Sequence, residues 1–297
     1  QMTASIGLFL GFLMPYLDQE GIGSFRLDAY LQPFLVFVIP NLFFIGSIIF
    51  ALAILSIPSN KISVKVVRKI LSGGKQVCKS AGIEIVGGHT IESSELIYGL
   101  SVIGIVDIKK IITNSNAKHK DDIIITKPLG VGIISSTIKK NCVEKKQYKL
   151  LISNCTKLNN PGHILNNQGL INSMTDITGF GLIGHLKEMC QGSNKKAIIN
   201  YNLIPKIEGV ISLINKNFYT GASERNWLYV KDLIDIKSKL NNMIKIILSD
   251  PQTSGGLLIS CKKTNTSKVL NFLKNNNFKE SAVIGEFIEK KPTILIK

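Results

Sequence analysis

The sequence predicts an α/β layered fold, in the broad α+β sense, and three observations carry that expectation. A chain of 297 residues, 45% of them hydrophobic, suffices for one large or two average domains with a buried core. Beyond Asn60 the apolar residues alternate between helical spacing and short β-rich runs, which points to layered helices and strands. Five cysteines, odd in number, widely spaced and without a CxxC pair, argue against a zinc ribbon or a disulfide framework and favour a reducing compartment.

The elements follow in order. Val64, Val67, Leu71, Gly74 and Cys78 recur at helical spacing between lysines, so residues 63–80 are predicted as one amphipathic helix. Ile97 to Val106 is β-rich and reads as a buried strand, and Ile123 to Thr126 as another, stopped by Pro128 and Gly130. Residues 133–140 and 178–190 are predicted helical, while 256–260 and 293–296 close the chain as strands. The polar stretch Asn114 to Lys120 is the best internal boundary, giving an apolar segment 1–50, a first domain 51–117 and a second 118–297. No internal repeat is visible.

The first sixty residues differ from the rest. They hold four charges, Asp18, Glu20, Arg26 and Asp28, for a net of −2, so the other 237 residues must carry +18 to give the chain its net +16. From Ala29 to Asn60 there is no charge at all, a stretch long enough to span a bilayer. Pro33, Pro40 and Pro58 interrupt it, but Asn41 to Ser56 can still be continuous, so a membrane helix or re-entrant hairpin within 29–56 is preferred to a buried soluble helix. A basic n-region and a small-residue cleavage site are lacking, which excludes a signal peptide, and a start at Gln1-Met2 is not an ordinary one. The lysines elsewhere are scattered among asparagines without a compact basic block, so they read as solvated surface and not as a nucleic-acid footprint.

Three glycine-rich segments have more chemistry than a core requires. Val86-Gly87-Gly88-His89-Thr90 reads as a turn able to bring backbone N–H groups against phosphate oxygens, or as an ordinary tight turn. In Met174-Thr175-Asp176-Ile177-Thr178-Gly179-Phe180-Gly181 an aspartate precedes a helix start, combining a hard oxygen ligand with free N–H groups as a magnesium-nucleotide site needs; Asp176 or Thr178 could equally cap the helix. His185, beside Leu182, Leu186 and Met189, reads as a packed histidine. Asp250-Pro251-Gln252-Thr253-Ser254-Gly255-Gly256 is a sharp turn into a strand.

Taken in order, "GGHTIESSELIYGLSVIG", "ITKPLGVGI", "MTDITGFGLIGHLKEMCQG", "GASERN" and "DPQTSGGLL" resemble the successive motifs of the selenophosphate synthetase (selenide, water dikinase) family, from about Ala51 to Lys297. An aminoimidazole ribonucleotide synthetase or a thiamine phosphate kinase would share the fold without "DPQTSGGLL" and "ERN". The resemblance implies a two-domain aminoimidazole ribonucleotide synthetase-like fold with an incomplete first domain. It also implies a cytoplasmic homodimer that uses ATP and Mg2+ to phosphorylate hydrogen selenide, giving selenophosphate, AMP and orthophosphate. By the same resemblance Gly88, His89 and Thr90 contact the nucleotide and Asp176 binds metal. The family places a cysteine or selenocysteine, a lysine and several aspartates ahead of "AILSIP", whereas no cysteine or lysine precedes Lys61 here. No catalytic residue of that kind is therefore assigned, and activity is expected to be impaired. The rival expectation is a membrane-tethered, catalytically inactive ATP-binding or structural protein.

Overall fold

The computed structural model describes residues 49–58, 60–235 and 241–297. The described residues divide into two compact units, the first ending at Ile105 and the second running from Val106 to Lys297.

In the first unit, β1 (Ile49–Ile57) lies between β2 (Glu84–Glu92), which is parallel to it, and β3 (Ile97–Gly104), which is antiparallel. Helix α1 (Val64–Ser80) starts after Ser63, as its periodicity predicts, and buries Gly74 and Cys78. The charge-free run expected to enter a membrane thus ends as a strand. Ala51 and Leu55 are buried while Leu52 and Ile54 between them are exposed, a period of two that no helix produces. Pairing with β2 and β3 satisfies the β1 backbone, so a continuous helix over residues 41–56 is excluded. The remainder of that run, residues 29–48, lies outside the described residues. No helix among the described residues is long and apolar enough to cross a membrane.

The structure departs from two further expectations. Gly87 and Gly88 do not form a turn but sit inside β2, just after an irregularity that shifts the register between Ala51–Ile85 and Leu52–Gly87. A Cβ on Gly88 would come within 2.2 Å of the Ala53 carbonyl oxygen, so the close approach of the two strands requires glycine there. The third strand forms where expected but is exposed along much of its length, because among the described residues it is the edge of a three-stranded sheet accompanied by a single helix.

The second unit is built on a seven-stranded mixed sheet. Its strands are β4 (Asp121–Ile125), β5 (Ser173–Asp176), β6 (Lys196–Ile199), β7 (Ile234–Asp235), β8 (Leu257–Lys262), β9 (Ala282–Ile288) and β10 (Ile294–Ile296), in the order β5-β8-β4-β9-β6-β10-β7. One face packs on α2 (Val131–Lys139), α5 (Gly181–Ser193) and α8 (Asn242–Ser249), among others. The other packs on α4 (Pro161–Asn167) and α9 (Thr266–Asn275). Alternate residues of β4 feed the two cores, Ile123 and Ile125 one and Ile124 the other, which explains an uninterrupted apolar run. Three more α-helices belong to the unit among the described residues: α3 (Lys145–Thr156), α6 (Val210–Asn215) and α7 (Gly221–Val230).

Candidate functional site

Asp176 is the last residue of β5, paired with Leu257 of β8. Its side chain is exposed, and the carboxylate makes no hydrogen bond or ion pair among the described residues. It does not cap the following helix: the N-cap position of α5 is Phe180, which has no side-chain cap bond. Thr178 does not cap it either, its hydroxyl facing the His185 ring instead.

The backbone that carries Asp176 is held by the other motifs. The Ile177 N–H donates to the Gly256 carbonyl at 2.8 Å, and the Thr178 carbonyl accepts from the Gln252 and Gly181 N–H groups, each at 3.0 Å. Asn226, on α7 and within the "ERN" motif, donates its amide to the Gly179 carbonyl at 2.8 Å and to the Ser249 carbonyl at 3.0 Å. Gly181 has φ +68°, and a Cβ there would meet the Ser249 carbonyl carbon at 2.8 Å, so only glycine lets α5 begin at this point. His185 is buried as expected, with the Thr178 N–H donating to its Nε2 at 3.1 Å.

Two buried ionisable groups brace the "DPQTSGG" segment itself. The Asp250 Oδ2 accepts from the Gly132 N–H at 3.0 Å, in the first turn of α2 where the helix dipole favours an anion, and from the Gln252 amide at 2.7 Å. Burial nevertheless pushes its carboxyl up to about 7, against the hydrogen bonds from Gln252, Gly132 and Ile133. Lys127 is only 1% exposed, and its ammonium donates to the carbonyls of Lys157 at 2.6 Å, Ser254 at 2.9 Å and Asn154 at 3.3 Å. Burial, helped by the neighbouring Lys157, pulls it down to about 8, while the three acceptors favour the charged form. Lys127, Asn226 and Gln252 all lie in motifs visible in the sequence, yet nothing local marks them as braces.

Gly88, His89 and Thr90 lie in the first unit, opposite Ala53, Ile54 and Leu55 of β1. All three are exposed, and the side chains of His89 and Thr90 make no hydrogen bond among the described residues. Asp176 belongs to the second unit.

Whether Asp176 suits a metal is a question of its donor set. Among the described residues no group of three or more His, Cys, Asp or Glu could hold a metal ion. A single free carboxylate on a rigid turn nonetheless fits magnesium that arrives with a nucleotide, because magnesium is commonly held by one or two carboxylates with phosphate oxygens and waters completing the shell.

The family described as AIR synthase related protein, C-terminal domain, matches residues 120–297, and its N-terminal domain counterpart matches residues 42–106. Among solved structures, thiamine-monophosphate kinase from Stenotrophomonas maltophilia K279a is similar with a TM-score of 0.62 at 13% identity, covering 84% of this chain and 71% of that one. Hydrogenase maturation protein HypE in complex with ATP gives 0.62 at 15% identity, covering 84% and 69%. These likenesses define the class, a two-domain α/β protein of the AIR synthase type.

Closer relatives narrow it. The selenide, water dikinase of Dechloromonas aromatica (strain RCB) is 41% identical over 249 residues, covering 84% of this chain and 72% of the relative. That of Pseudomonas straminea is 42% identical over 251 residues, covering 84% and 70%. The chain belongs to the selenide, water dikinase family, a family of phosphotransferases.

Proposed function

We propose that this chain is of the selenophosphate-forming type, with ATP and hydrogen selenide as substrates and selenophosphate, AMP and orthophosphate as products, working as a homodimer in the cytoplasm. The observation that carries this reading is the convergence of the family's separate motifs on one turn that presents a free Asp176 carboxylate. In phosphoryl transfer, positioning and charge neutralisation supply most of the catalysis, and a carboxylate fixed on a braced turn is suited to positioning. Magnesium, when bound with the nucleotide, would neutralise its phosphate oxygens. In the second unit Asp176 would hold it; in the first unit the exposed His89 and Thr90 side chains, with the Gly88 backbone, are the positions that the family resemblance makes nucleotide-contacting.

The same reading includes impairment. No cysteine or lysine precedes Lys61, and the family resemblance assigns such residues there. Each missing transition-state contact is worth a few kcal/mol, and each 1.4 kcal/mol is about tenfold in rate. The 297-residue chain alone is therefore expected to form AMP from ATP and selenide very slowly, and brisk selenide-dependent AMP formation would refute the impairment. The alternative, a membrane-tethered inactive protein, draws on the charge-free run but would need its tether ahead of β1, within residues 29–48. Carbonate extraction of the expressed protein tests that alternative.

The nucleotide site itself is tested with Asp176→Asn. The substitution keeps the shape, removes the charge and leaves the fold alone, because the side chain is exposed and unpaired. Calorimetric titration of ATP with and without magnesium should show a magnesium dependence in the wild type that the variant lacks. An unchanged dependence would return Asp176 to a structural role.

A further inference from the structure

We infer that His185 and Glu188 act as positioning residues for the Asp176 turn, a role beyond that of a packed core histidine. The inference rests on the reading of Asp176 as the magnesium-nucleotide carboxylate. His185 is buried on α5, and both of its ring nitrogens are engaged. Nε2 accepts the Thr178 N–H at 3.1 Å, with the Thr178 hydroxyl also 3.2 Å away. A nitrogen that accepts from a backbone N–H carries no proton, so the proton of the neutral ring is on Nδ1. Nδ1 then donates to Glu188 Oε2 at 3.3 Å, one turn further along the helix. Glu188 fixes the tautomer, and the tautomer makes Nε2 an acceptor.

The consequence falls on Asp176 because Thr178 is two residues away and its peptide groups are gripped on both sides. Its carbonyl is held by Gln252 and Gly181, and its N–H by His185. Of these holds the imidazole is the one made by a side chain. An aliphatic residue at position 185 would fill the volume but leave the Thr178 N–H without its acceptor. Asp176 would then sit on a turn anchored at fewer points, and a metal-bound phosphate needs that carboxylate in one place.

The test compares His185→Ala, His185→Gln and Glu188→Ala in the full chain, with two readouts. Amide hydrogen exchange at Thr178 reports the hold directly, without any ligand. His185→Ala should speed exchange there about tenfold or more while the amides of Leu258 to Ser260 in β8 stay protected, and Glu188→Ala should do the same more weakly. His185→Gln should restore protection, since its side-chain oxygen can accept the same N–H. The ratio of ATP affinities with and without magnesium, by calorimetry, is the second readout. It should fall in His185→Ala toward that of Asp176→Asn and be kept in His185→Gln.

Unchanged Thr178 exchange in His185→Ala overturns the inference. So does a preserved magnesium ratio in a variant whose turn has loosened. If His185→Ala does not fold, Glu188→Ala decides by the same exchange readout, because Glu188 is partly exposed and its loss spares the core. If the wild type shows no magnesium dependence, the Asp176 reading fails, and Thr178 exchange still settles whether His185 holds the turn.

Discussion

β3 of the first unit and β4 of the second are both strongly apolar in sequence, yet they end in opposite environments. Ile97, Val102 and Ile103 of β3 are 57%, 54% and 48% exposed, whereas Ile123, Ile124 and Ile125 of β4 are all fully buried. β4 lies inside a sheet covered by helices on both faces, while β3 is the edge of a three-stranded sheet carrying one described helix. Apolar composition predicts a strand in both places, but burial depends on how many layers cover it. The same contrast separates the candidate site residues. Asp176 rests on a turn braced from several motifs, while Gly88, His89 and Thr90 lie along an exposed strand.

Removing the buried ammonium of Lys127 should cost the braced unit most. Lys127→Met keeps the length of the side chain but leaves the carbonyls of Asn154, Lys157 and Ser254 without their buried donor. With unsatisfied buried acceptors costing about 1–3 kcal/mol each and some water entering, a loss of about 3 to 5 kcal/mol is expected. A urea unfolding midpoint measures it, and a loss under about 1 kcal/mol would mean that water replaces the ammonium freely.

The two strands should respond differently to the loss of an apolar side chain. Ile124→Ala opens a cavity among residues such as Leu165, Ile259 and Leu273, and should cost about 3 kcal/mol. Val102→Ala, on the exposed strand, should cost no more than about 0.5 kcal/mol. Equal costs in the same denaturation assay would show that the β3 face is covered in solution.

Much of this architecture was legible in the sequence, and what was missed was non-local. The helix that starts after Ser63, the β4 run and the body of α5 follow from periodicity and turn chemistry within a few residues, although α5 runs over Gly181–Ser193 and not over 178–190, because the turn through Gly179 and Phe180 holds its start back. β1 was missed because its two-residue alternation is carried by Ala51, Ala53 and Leu55 against equally apolar Leu52 and Ile54, so no polarity marks the period. Gly87 and Gly88 read as a turn because glycine is locally a turn residue. What requires Gly88 is the backbone of Ala53, brought alongside by strand pairing. Lys127 lies 127 residues from Ser254, and Asn226 lies 47 from Gly179. Their roles exist only once the fold brings those carbonyls within reach. Asp176 is a candidate from the sequence because a carboxylate beside a helix start is a local signal, and its freedom from any capping bond is visible only in three dimensions.

The smallest effect expected of the braced unit concerns Asp250, whose buried carboxyl titrates near 7 in the folded chain instead of near 4. Its raised value means that the folded state binds a proton that the unfolded chain has already released over this range. Stability from this group is therefore greatest below about pH 4 and falls as pH rises through 7, by about 1.4 kcal/mol per unit where the slope is steepest. Between pH 5 and 7 the loss is about 2 kcal/mol. Asp250→Asn keeps an oxygen for the Gly132 N–H but cannot ionise, so it should flatten this part of the pH–stability curve and be the more stable chain at pH 8. Denaturant unfolding of both chains from pH 5 to 8 measures the difference. Parallel curves would mean that the hydrogen bonds from Gln252, Gly132 and Ile133 outweigh burial and hold Asp250 ionised throughout.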